Sequence, residues 1–164
     1  MKNKLKVFSI ASLLAVACSS NAVERTITVN ADIDSTVDLT LSSGDPLPPS
    51  IDMQYLPGKG LSDNSLHVKL WTNSADKDLI VQLATPVILR QKDGTGTIPL
   101  KVTLNGTELS PSETTLTYAT IFPNGSANGS AILPLTFSQA TPGPITTAGK
   151  YSGMADILIT QSTK

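Results

Sequence analysis

Past residue 25 the chain alternates apolar and polar residues with a period of two. The longest such run is residues 26–41. Ile27, Val29, Ala31, Ile33, Val37, Leu39 and Leu41 are apolar, and the positions between them are Thr26, Thr28, Asn30, Asp32, Asp34, Thr36, Asp38 and Thr40. Alternation of this kind predicts a strand with one buried face. Strands in globular proteins run about 5–6 residues, so this stretch holds more than one. Ser35 is the single polar residue in the apolar register, and it predicts a break at residues 34–36. The first strand of the domain is then expected from Val37 to Leu41.

The same period recurs downstream. Ile51, Met53 and Tyr55 predict a strand after the proline-rich turn-and-extended segment 42–49. Leu66, Val68 and Leu70, a polar turn at 72–78, and Leu79, Val81 and Leu83 predict a hairpin. Ile98, Leu100, Val102 and Leu104 run up to Asn105-Gly106, the preferred pair for a tight type I′ turn. The signal weakens over residues 110–130, where Leu116 and Tyr118 predict a further strand. Leu133, Leu135 and Phe137 alternate around Pro134, which predicts an edge or a bulge. Tyr151, Ala155, Ile157 and Ile159 make the inward face of the last strand, with Met154 and Leu158 facing away. Seven or eight short strands at this spacing, with no amphipathic helix past residue 22, predict a single all-β immunoglobulin-like sandwich over residues 35–164.

Residues 1–22 read as a signal peptide. Lys2, Lys4 and Lys6 form the basic start, an apolar stretch follows, and Ser20-Asn21-Ala22 supplies the small residues for cleavage between Ala22 and Val23. Cleavage changes the charge balance. It removes three Lys and leaves 9 basic against 13 acidic residues, a formal charge of −4. That excludes nucleic acid as an expected partner, because phosphate binding needs Lys and Arg clusters. The sole cysteine, Cys18, leaves with the signal, so neither disulfides nor cysteine-held metals are expected. Ala15-Val16-Ala17-Cys18 is a loose match to a lipoprotein cleavage box, which lacks its usual large residue three places before the cysteine.

Few residues suggest chemistry. The sole histidine, His67, lies on the polar face of its strand with nothing marking a nucleophile or acid nearby. Asp32, Asp34 and Asp38 share one strand face but lack the looped spacing of a calcium site. Residues 57–60, Pro-Gly-Lys-Gly, precede no helix and read as a turn rather than a phosphate cradle. The Asn-Gly-Ser/Thr triplets at Asn105, Asn124 and Asn128 are explained as turns, and Trp71 as a partly buried structural residue. No enzyme activity, catalytic residue, metal or cofactor is expected.

Several stretches together resemble a known family: residues 23–34 followed by Val37-Asp38-Leu39, then Leu47-Pro48, Tyr55-Leu-Pro-Gly58, Thr72-Asn73 before Asp76-Lys77, and residues 147–153 leading into the last strand. They resemble the alpha-class (class 5) chaperone–usher pilins, the major subunits of colonisation-factor and cable-type fimbriae. Ser35-Thr36 departs from the Asp-Pro often found there. The resemblance implies an incomplete immunoglobulin-like sandwich, completed by donor-strand exchange, in a structural component of an adhesive cell-surface fimbria. Residues 23–34 would be the donor segment, with Ile27, Val29, Ala31 and Ile33 entering a neighbour. Ala155, Ile157 and Ile159 would line the acceptor groove. The implied partners are neighbouring pilin subunits, a periplasmic chaperone, an outer-membrane usher, a tip adhesin and a host-cell receptor, met after export through the periplasm. The alternatives are a minor or adhesin subunit, and a self-contained periplasmic or lipid-anchored β-sandwich binding protein.

Overall fold

The computed structural model describes residues 36–163. The expected signal peptide, the cleavage point at Ala22 and Val23, and the donor residues Ile27, Val29, Ala31 and Ile33 lie outside the described residues. Twelve strands are described: β1 (Val37–Leu41), β2 (Tyr55–Leu56), β3 (Gly60–Leu61), β4 (Asn64–Thr72), β5 (Leu79–Leu83), β6 (Ile88–Gln91), β7 (Thr97–Leu104), β8 (Thr107–Leu109), β9 (Thr114–Leu116), β10 (Leu133–Gln139), β11 (Tyr151–Ser152) and β12 (Ile157–Gln161). One sheet runs β1-β4-β10-β7-β6-β11, with β8 paired to β7. A second runs β12-β5-β9, and β2 and β3 form a small ribbon. The two larger sheets make a β-sandwich whose core includes Val68 and Leu70 of β4, Leu79 and Val81 of β5, and Leu104 and Leu135 from β7 and β10.

Alternation located the strands but misassigned one pairing. β4 and β5 are not a hairpin: β4 pairs with β1 and β10, and β5 pairs with β12 and β9. The segment between them is an arch that carries the chain from one sheet to the other. Val68, Leu70, Leu79 and Val81 are all fully buried, so the two strands press on one core from opposite sides. Side chains shape the arch, with the Ser74 N–H donating to Thr72 Oγ1 (3.1 Å) and the Lys77 N–H donating to Ser74 Oγ (3.2 Å). Gln161, at the end of β12, clasps this corner. Its Nε2 donates to Thr72 Oγ1 (2.8 Å), Asn73 Oδ1 (3.1 Å) and the Thr36 carbonyl (3.3 Å).

Four further expectations change. The last strand is split: Tyr151 lies in β11, paired with β6 in the larger sheet, while Ile157 and Ile159 lie in β12 beside β5. Pro134 sits in a central strand, not at an edge, since β10 lies between β4 and β7. It is tolerated because its β7-side neighbour is Asn105, already in the turn, whose N–H donates to the Pro134 carbonyl at 2.9 Å. The missing N–H therefore falls where the β7 ladder ends. Tyr118 opens a one-turn helix, α1 (Tyr118–Ile121), instead of continuing a strand. Asp78 Oδ1 accepts the Tyr118 N–H at 2.7 Å, and Ile121 and Phe122 are buried beneath the turn. Finally, the strand expected from Ile51 is paired only at its end: β2 pairs with β3, the Gln54 carbonyl accepts the Ser62 N–H at 2.8 Å, and residues 51–53 make no backbone–backbone hydrogen bond among the described residues. The Asn105-Gly106 turn is as expected, linking β7 to β8 with φ of 51° and 81°.

Ser130 joins β10's approach to β4 and is the one polar residue in the described core. Its N–H donates to the Leu70 carbonyl (2.8 Å), and its Oγ accepts the Leu70 N–H (2.9 Å) while donating to the Ala131 carbonyl (2.6 Å). Ser130→Ala orphans the buried Leu70 N–H. It is expected to cost about 1–3 kcal/mol, read as a lower denaturant midpoint in equilibrium unfolding. An unchanged midpoint would show that the N–H finds another acceptor.

Candidate functional site

A mainly apolar groove of about 930 Å³ opens along one side of the sandwich. Its floor is the inner face of the larger sheet, with Leu66, Leu100, Leu135 and Phe137, joined by Val87. Residues 47–55 form one wall and residues 145–157 the other. The strand periods explain this lining. On β10 the odd positions Leu135 and Phe137 face in, and on β7 the even positions do, Leu100 among them.

The walls share a feature with physical consequences: neither is closed by a strand on the groove side. Antiparallel pairing directs the N–H and C=O of alternate residues to the same neighbour. On the β12 side, the Ala84 N–H donates to the Asp156 carbonyl and the Ser162 N–H to the Asp78 carbonyl. Asp156, Leu158, Thr160 and Ser162 therefore turn their backbone groups toward β5. Ala155, Ile157 and Ile159 turn theirs the other way, to the outer edge, while their half-buried side chains pack against the core. Ile51 and Met53 on the opposite wall behave likewise: their side chains pack on the core, and neither makes a backbone–backbone hydrogen bond among the described residues. Two extended walls, each with unpaired backbone groups, flank an apolar floor. This is the shape left when one strand is taken from a sandwich.

Of the acceptor residues named from sequence, Ala155 and Ile157 line the groove, and Ile159 lies farther along the same inward face of β12. Leu158 points outward, 46% exposed, whereas Met154, expected to face away, lies at the rim of the groove and is 81% exposed. Residues 47–53 were missed as the facing wall. The proline-rich stretch followed by an alternating run was the available signal, but alternation does not say whether a strand has a partner. The remaining candidates lie elsewhere. His67 is exposed on the outer face of β4. Trp71 is half-buried, its Nε1–H donating to Thr40 Oγ1 at 2.8 Å, and a Cβ at Gly129 would come within 3.2 Å of its ring. Lys69 Nζ lies 6.0 Å from the centre of that ring. Trp71 is therefore a structural cover over the β1–β4 pair.

A profile of the family described as CS1 type fimbrial major subunit matches residues 23–160. The chain belongs to this family. The CS1 fimbrial protein of Escherichia coli is 32% identical over 170 residues, covering 99% of each chain. The CFA/I fimbrial protein of Escherichia coli O78:H11 is 32% identical over 168 residues, covering 98% of each. The solved CooA pilin from enterotoxigenic Escherichia coli superposes with a TM-score of 0.69 at 29% identity, over 78% of this chain and 88% of that one. The alpha-class pilin resemblance read from the sequence thus holds across the chain. This pilin is a structural protein that assembles with other pilin subunits into a cell-surface fimbria, and its family is non-enzymatic.

Proposed function

We propose that the groove is the acceptor site through which this pilin polymerises, and that residues 26–33 of a neighbouring subunit are the strand it receives. The observation that carries this reading is the edge of β12. Ala155, Ile157 and Ile159 present side chains to the core and backbone groups to open space, so an added strand would gain a hydrogen-bond ladder and an apolar floor at once. Ile27, Val29, Ala31 and Ile33 are spaced to supply it, every second residue descending into the groove. Val37 and Leu39 belong to β1 of the pilin's own sandwich, so the handover between the two roles falls near Ser35.

The wider partners are those that the alpha-class pilin resemblance implies. An open apolar groove is a hazard in water. A periplasmic chaperone would cover it with a strand of its own until an outer-membrane usher exchanges that strand for the next pilin's. Export requires cleavage between Ala22 and Val23. A tip adhesin would cap the fibre, and a host-cell receptor would be met by the adhesin or by the fibre surface. The test is deletion of residues 23–34. The truncated pilin is expected to bind chaperone and accept a strand but never to donate one. Fibres seen by electron microscopy from the truncated chain alone would sink the donor assignment.

A further inference from the structure

The connection from β10 to β11 crosses one end of the groove and is held by side chains, not by a backbone ladder. Residues 141–149 supply no N–H or C=O to any backbone–backbone hydrogen bond among the described residues. Side chains hold them instead. Gln139 Nε2 donates to the carbonyls of Thr141 (2.8 Å) and Gly143 (3.1 Å), Tyr151 Oη to that of Thr147 (2.9 Å), and Gln91 Nε2 to that of Ala148 (3.0 Å). The remaining tie is Tyr55 Oη, which donates to the Ile145 carbonyl at 3.4 Å. Tyr55 stands on the opposite wall, so this bond bridges the groove. It is also the longest of the set, and Tyr55 is 45% exposed.

A second hollow of about 280 Å³ lies beyond this segment. Ile145, Thr146 and Thr147 line both hollows, as do Ile98 and Tyr151. The segment is therefore a partition, and lifting it would join the two hollows into one longer groove. Its far end is anchored: a Cβ at Gly149 would run into the Gln91 amide, which fits closely there.

We propose that residues 141–149 form a strap that shuts one end of the groove in the free pilin, with Ile145 as its plug and Tyr55 as its latch. An incoming strand from a second copy of this chain must lift the strap to seat fully. The inference rests on the acceptor reading of the groove. It assigns Tyr55 and Ile145 as positioning residues that set how fast a strand is accepted, in addition to the residues that hold it.

The experiment measures, by anisotropy, capture of a fluorescent synthetic peptide of residues 23–35 by the purified chain from Val23 onward carrying Ile27→Asp and Val29→Asp, the parent here, which cannot fill a neighbouring groove itself. Tyr55→Phe removes only the latch hydroxyl and is expected to speed capture roughly 2–10-fold, the worth of one partly exposed hydrogen bond. Ile145→Ala is expected to speed it as well, and neither variant should change the unfolding midpoint in step with the rate. A residue that merely supported the fold would slow capture when replaced. Capture by the parent chain with equal or slower rates in both variants overturns the strap while leaving the groove reading intact. No capture by the parent chain overturns the groove reading and the strap with it.

Discussion

Replacing Ile27 and Val29 together by Asp is expected to abolish fibres while leaving the pilin folded. Both residues precede β1, so the sandwich of the variant keeps every core contact described above. What is lost is donation. Two apolar side chains contribute roughly 1.5–3 kcal/mol each on full burial. Two carboxylates set against Leu100, Leu135 and Phe137 add a desolvation cost on top. At about 1.4 kcal/mol per tenfold, the lost burial alone weakens strand addition by roughly two to four powers of ten. Electron microscopy and sedimentation of the secreted protein check this. Fibres of ordinary length from the double variant would show that another segment is the donor.

The reciprocal change is expected to be as severe. Ile157 is half-buried, lines the groove, and turns its backbone groups to the open edge of β12. Ile157→Asp places a charge against the apolar floor beside the incoming strand, so this variant should donate but not accept. Mixing separates the two roles. The Ile27/Val29 double variant can only accept and the Ile157 variant can only donate, so together they should form pairs and stop there. Size-exclusion chromatography reads the result, and chains longer than two from the mixture would refute the pairing of this groove with this strand. The Ile157 variant also loses contacts with its own core, so its unfolding midpoint should fall, while that of the donor variant should not.

Much of this was legible in the chain because β-strands declare their buried face. Leu39, Val68, Val81, Leu104, Leu135 and Ile157 were each assigned inward from alternation alone, and Asn105-Gly106 announced its own turn. Neighbour choice was not legible. The residues that bury β4 and β5 read the same whether the strands share a sheet or face each other, so the arch passed for a hairpin. Pro134 misled for a related reason: its tolerance depends on where β7 stops, which is a property of the partner strand. The facing wall was missed because Ile51 and Met53 read as an ordinary strand, and only the fold shows that no partner lies beside them. The glutamines that hold residues 141–149 carry no sequence signal, since Gln91 and Gln139 matter only through the carbonyls they reach.

The clasp at Gln161 bears on how a fibre of such pilins carries load. Tension passed along a donor segment would enter the domain at Thr36, and the Thr36 carbonyl, Thr72 and Asn73 are held by the one side chain that ends β12. β12 is also the strand beside which the next donor would lie. Pull would then load, in shear, the β1–β4 ladder into which Thr36 leads, together with the Gln161 corner and the edge strand β12. Outward-facing residues away from that path would stay free of mechanical duty and open to change in sequence.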